Sequence, residues 1–118
     1  GGASSCRNGG TTAAVAVIKS ADQGIAEFAK WAVAEEDKIA NEAIIRCQPQ
    51  PSKTAYMVCA QDYAAQRRAP IERVKLAIKL YGSTVEAAHG AQTQNVVESA
   101  NAVVSALAAV GIFCGGGR

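Results

Sequence analysis

Cys6, Cys47, Cys59 and Cys114 are the side chains whose number and placement in this sequence point most directly to chemistry. An even number of cysteines in a short chain reads as a disulfide framework, and so as the mark of an oxidising compartment. Cys47 and Cys59 bracket the turn Gln48-Pro49-Gln50-Pro51-Ser52-Lys53. A bridge between them closes a loop of about 13 residues and contributes about 3 kcal/mol in the chain-entropy account. Cys6 and Cys114 then pair by elimination, closing nearly the whole chain for about 4–5 kcal/mol.

Other chemistry finds little purchase. His89 is the single histidine, and it stands between Ala87-Ala88 and Gly90 with few acids nearby. A hydrolytic site would need a nucleophile beside a base and a group to orient that base. Four widely spaced cysteines do not form the paired ligands of a structural zinc site. No Glu-x-x-His pair suits a helical di-iron centre. The sequence therefore reads as non-enzymatic, with no cofactor and no metal.

The charged residues cluster without converging. Arg67, Arg68, Arg73, Lys75 and Lys79 make a basic segment, the candidate interaction face of the chain. Phosphate or anionic lipid would suit such a segment, but a solvated helix face is its ordinary role. The net charge of +2 is too mild to imply nucleic acid.

These residues must be carried by helices. Of the 118 residues, 49% are apolar, and Ala and Val dominate that fraction while aromatics make up only 5%. Alanine is the best helix former, and small side chains let helices approach closely. The sequence predicts an all-α, disulfide-linked bundle of three to four helices with a long N-terminal helical hairpin. Its single domain spans residues 11–114, between an irregular Gly/Ser-rich segment at 1–10 and a flexible Gly-rich tail at 115–118.

The first helix is expected from a cap at Thr11 or Thr12 to Arg46. Ile18, Ile25, Ala32 and Ile39 recur every seventh position, and Ala21, Phe28 and Glu35 follow a second row. Gly24 is a weak point, but the pattern runs through it and favours one long helix. Pro49 and Pro51 end it. A second helix resumes near Lys53 or Thr54, with a kink or short break at Pro70. Ile71, Val74, Ile78 and Tyr81 form one apolar seam, and Leu76 and Leu80 a second that should meet another neighbour. Gly82 followed by Ser83-Thr84-Val85-Glu86 reads as a helix end and a capping box. A last helix is then expected from about Thr84 to Phe113.

Two consequences follow from clamping the first two helices at Cys47–Cys59. Counting back from Cys47 reaches Glu35-Glu36-Asp37, and counting forward from Cys59 reaches Arg67-Arg68, so acids and bases should lie side by side as surface ion pairs. A simple up-down bundle would also bring Cys114 to the Cys47 end, far from Cys6. Pairing those two requires a bend at Gly24, a C-terminal segment without a sharp reversal, or bonds between chains.

The most apolar stretch is 100–114, too short and too rich in small residues for an ordinary membrane span. A buried central helix is its first reading. A subunit contact through Val103, Val104, Leu107, Val110, Ile112 and Phe113 comes second, and membrane contact last. The function read from these features is that of a secreted or periplasmic helical scaffold acting through protein–protein interaction. Two further readings stand beside it: a structural subunit of an extracellular filament or of a phage or secretion assembly, and a carrier of small apolar ligands. Its partner is accordingly another protein or further copies of the chain.

Overall fold

The computed structural model describes residues 14–112. Within them the chain forms three helices and no strand: α1 (Ala14–Cys47), α2 (Lys53–Ala87) and α3 (Gln94–Ala109). Cys6, Phe113 and Cys114 lie outside the described residues, as do the segments 1–10 and 115–118 and the expected cap at Thr11 or Thr12.

α1 is continuous over 34 residues and passes through Gly24 without a break. Its buried row, Val17, Ala21, Gly24, Phe28, Ile39, Ala43 and Cys47, keeps to one face of the helix. That row is built largely from small side chains, so a close neighbour is needed to exclude water from it. The neighbour is α2. Cys47 is bonded to Cys59 with their Cα atoms 5.7 Å apart, a separation normal for a disulfide. Successive contacts then step down α1 as they step up α2: Glu42 with Tyr63, Glu36 with Arg68, and Asp22 with Tyr81. The two helices therefore run antiparallel.

α2 starts where the sequence places it. Ser52 is extended, and its hydroxyl accepts from the Ala55 amide at 3.1 Å, satisfying one of the free amides of the first turn. Pro70 does not break the helix. It costs one backbone hydrogen bond and a steric conflict with the preceding turn. Just beyond it Ile71 and Val74 are buried against the other helices, and burial of two aliphatic side chains, about 1.5–3 kcal/mol each, offsets that cost.

The expected boundary at Gly82 is not there. α2 runs on to Ala87, and the box of Ser83 and Glu86 is not formed. The Thr84 hydroxyl instead donates to the Leu80 carbonyl at 2.8 Å, within the helix. The chain turns at His89 and Gly90, both with positive φ (50° and 86°). α3 begins ten residues later than the sequence reading, at Gln94, with Thr93 accepting from the Val96 amide. The buried stripe explains the choice. Val96, Ala100, Val103 and Leu107 are buried at steps of four, three and four. Extended backwards, the same stripe would meet Gln92 and His89, which have nothing apolar to bury.

α3 ends at Ala109, short of Phe113. The Gly111 amide donates to the Ala108 carbonyl and the Ile112 amide to that of Leu107, both at 3.0 Å, with Gly111 at φ 83°. This is a Schellman closure, and the part-buried Ile112 packs back onto the core as that motif favours.

α3 packs against both other helices. Its stripe joins Val17, Ala21 and Phe28 of α1 and Ile71, Val74 and Tyr81 of α2 in one core. Being 16 residues long, it covers about 24 Å of a pair whose members each extend about 50 Å. The half nearer Cys47–Cys59 thus has two helical layers and the other half three.

Gly82 sits inside α2, and a Cβ added there would meet nothing within 4 Å. Gly82→Ala should therefore stabilise the protein by about 0.5–1 kcal/mol, through the better helix propensity of alanine. Urea titration of the two proteins checks this, and a fall in the midpoint would contradict it.

Candidate interaction surface

The five basic residues of α2 divide between two surroundings. Arg67 turns towards α1. It bonds Glu35 at 3.0 Å, forms a second ion pair with Glu42, and donates to the Tyr63 hydroxyl at 2.6 Å. Tyr63 in turn donates to Glu42 at 2.9 Å, and the Arg46 guanidinium lies 5.1 Å from its ring centre. Glu35 and Glu42 are two turns apart on α1. Arg67 is about as far beyond Cys59 as their midpoint is before Cys47, so the disulfide sets the register of this cluster. Hydrogen bonds from Arg67 and then Tyr63 hold the Glu42 carboxyl below its usual range, and the same contacts hold the Arg67 guanidinium firmly in its charged form. Arg68 pairs with Glu36 at 2.9 Å. The acidic and basic clusters do meet, through Glu35 and Glu36 with Arg67 and Arg68. Both pairings are part-exposed, which limits each to about 0–1 kcal/mol.

Arg73, Lys75 and Lys79 face the other way. Lys75 reaches Glu72 one turn back on its own helix, at 3.2 Å. Arg73 and Lys79 form no ion pair with any described residue. They stand on either side of Leu76 and Leu80, which are 70% and 60% exposed. The second apolar seam expected to meet a neighbour is therefore open to solvent. It borders a shallow groove between α2 and α3 that continues over Ser83, Ala87 and Ala102. The sequence reading singled out the cations and assigned the two leucines beside them to a covering neighbour. The signal was there in retrospect: a helix that already buries Ile71, Val74 and Tyr81 has one core face, and Leu76 and Leu80 fall off it.

The C-terminal residues also divide. Val103 and Leu107 are fully buried in the chain's own core. Val104, Val110 and Ile112 are part-buried against it. Phe113, the sixth residue of the candidate subunit contact, lies outside the described residues.

Two further features lie away from that face. Ile44, Ile45, Met57 and Val58 are exposed near the disulfide, where α3 does not reach. At the other end a cavity of about 380 Å³ opens between α1, α2 and the segment leading to α3. Asp22 and Tyr81 stand on its wall, with the Tyr81 hydroxyl donating to the Asp22 carboxylate at 3.0 Å. His89 is exposed at the turn that ends α2. Among the described residues no three His, Cys, Asp or Glu side chains are grouped to hold a metal ion, and no helix is long and apolar enough to cross a membrane.

Burial, and then the Asp22 carboxylate, push the Tyr81 phenol up to about 12. An acid whose folded pKa is raised adds stability that is complete below its unfolded pKa, near 10, and lost as pH rises through the folded value. Wild-type stability should thus fall between about pH 10 and 12 more steeply than that of Tyr81→Phe. Denaturant midpoints of both proteins across this range check it, and parallel curves would contradict it.

Comparison of the chain with protein-family models, with curated proteins and with solved structures finds no match to any of them.

Proposed function

We propose that this protein is a non-enzymatic helical scaffold, secreted or periplasmic, that acts through protein–protein contacts made by the outward face of α2. The observation that carries this reading is the pair Leu76 and Leu80, well exposed and flanked by Arg73 and Lys79. Apolar side chains that a chain leaves uncovered beside a groove are stabilised when a partner covers them. Cations at the rim add selectivity and faster encounter more than affinity. The long hairpin of α1 and α2, cross-linked at Cys47–Cys59, favours such a role because a rigid face loses little entropy on docking. The same bridge is the reason for proposing an oxidising compartment.

The test is capture from the native compartment with two baits, the wild type and Leu76→Glu. A stoichiometric partner retained by the first and lost by the second supports the reading. Recovery of nothing but further copies of the chain would replace it with that of a structural subunit.

A further inference from the structure

The cavity beside Asp22 lies away from the outward α2 face, and four of its features together suit a ligand. Its walls are aliphatic and come from all three helices: Ile18 and Ile25, Ile78 and Val85, and Val96. Its volume, about 380 Å³, lies within the range of small-molecule sites. The wall on α2 contains Gly82, a residue that destabilises a helix interior and leaves open space where a side chain would project. Asp22 stands at the mouth. One of its oxygens accepts from Tyr81, and no lysine or arginine among the described residues pairs with it.

From this geometry we infer that the cavity is a binding site for a small organic ammonium ion, its apolar body among the isoleucines and its charged nitrogen on the free oxygen of Asp22. The carboxylate selects the sign of the ligand. A carboxylate ligand would meet like charge at the mouth, and a neutral alcohol would lose the charge-assisted hydrogen bond. Tyr81 is a positioning residue, since its hydroxyl fixes the orientation of the Asp22 carboxylate. Gln92, on the rim, offers an amide oxygen as a second acceptor for the ammonium protons. Gly82 lines the cavity without a side chain to occupy it. A residue that stabilises α2 there should therefore work against the ligand.

Hexylammonium, hexanol and hexanoate share one apolar body and differ in charge, which makes them suitable probes. Each is titrated into the ¹⁵N-labelled full chain while the backbone amides of Asp22, Gly82 and Gln92 are followed by NMR. The expected result is saturable hexylammonium binding with Kd of about 1 mM or below. Hexanol should bind about tenfold more weakly and hexanoate more weakly still. Asp22→Asn keeps an acceptor for Tyr81 but removes the charge, and it should bring hexylammonium down to the level of hexanol. Gly82→Leu should abolish binding of all three in a chain that remains helical by circular dichroism. The inference is overturned if none of the three amides shows a saturable shift, if hexanol binds as tightly as hexylammonium, or if Asp22→Asn leaves hexylammonium binding unchanged.

Discussion

Replacing Cys47 and Cys59 together with alanine should lower the free energy of unfolding by about 3 kcal/mol. For a chain of this size that corresponds to a fall in Tm of roughly 10–20 °C. Two effects contribute. The bridge removes freedom from the unfolded chain around the Pro49–Pro51 turn. It also clamps the half of the α1–α2 pair that α3 does not cover, where the buried side chains of α1 are Ile39, Ala43 and Cys47 itself. Two helical layers with so little apolar burial have a weak claim to independent stability. The loss should accordingly be uneven. Amide exchange should accelerate most near Ala43 and Met57, and less at Val74 and Val103 in the three-layered half. A loss below about 1 kcal/mol, or uniform acceleration of exchange, would refute this account of the cross-link.

Leu107→Ala should cost about 3 kcal/mol. Leu107 is fully buried and closes the C-terminal end of the α3 stripe. Removing its side chain leaves a cavity as well as forfeiting the burial. A helix of 16 residues is marginal by itself in water, so α3 is held in place by its packing. Ile112, whose amide bonds the Leu107 carbonyl in the Schellman closure, packs on the same core and should loosen with it. The expected signature is lowered stability together with fast exchange along α3, while α1 near Glu35 and α2 near Arg67 remain protected. Val104→Ala, at a part-buried position on the same helix, is the control and should cost less than half as much. Equal costs at the two positions would mean that α3 is not anchored by this stripe.

The distribution of these effects follows the division between what the residues state locally and what they state only in company. The disulfide-bracketed turn, the Ser52 start of α2 and the unbroken α1 were all legible, because each rests on neighbours in sequence. Proline geometry, a capping hydroxyl and a repeating apolar row do not need the rest of the protein. The meeting of Glu35 and Glu36 with Arg67 and Arg68 was legible for a related reason: one cross-link between two regular helices fixes every later pairing along them.

The boundary between α2 and α3 was not. Two glycines, Gly82 and Gly90, compete to end the helix, and by local chemistry Gly82 is the better candidate because Ser83 and Glu86 follow it. Tertiary packing reverses that order. Tyr81 must reach Asp22, Ala88 packs against the core, and only a start at Gln94 gives α3 an apolar stripe. The cost of one glycine within a helix, about 1 kcal/mol, is small beside the burial that continuity permits. The cavity beside Gly82 follows from that same choice, since residues 90–92 and Val96 line it. The sequence by itself determined the helical class, the extent of the first helix to the Pro49–Pro51 turn, the cross-link at that turn and the pairing of charges beside it. Where the third helix begins, and so where space would remain between the helices, only the tertiary structure decided, because both depend on packing between segments far apart in the chain.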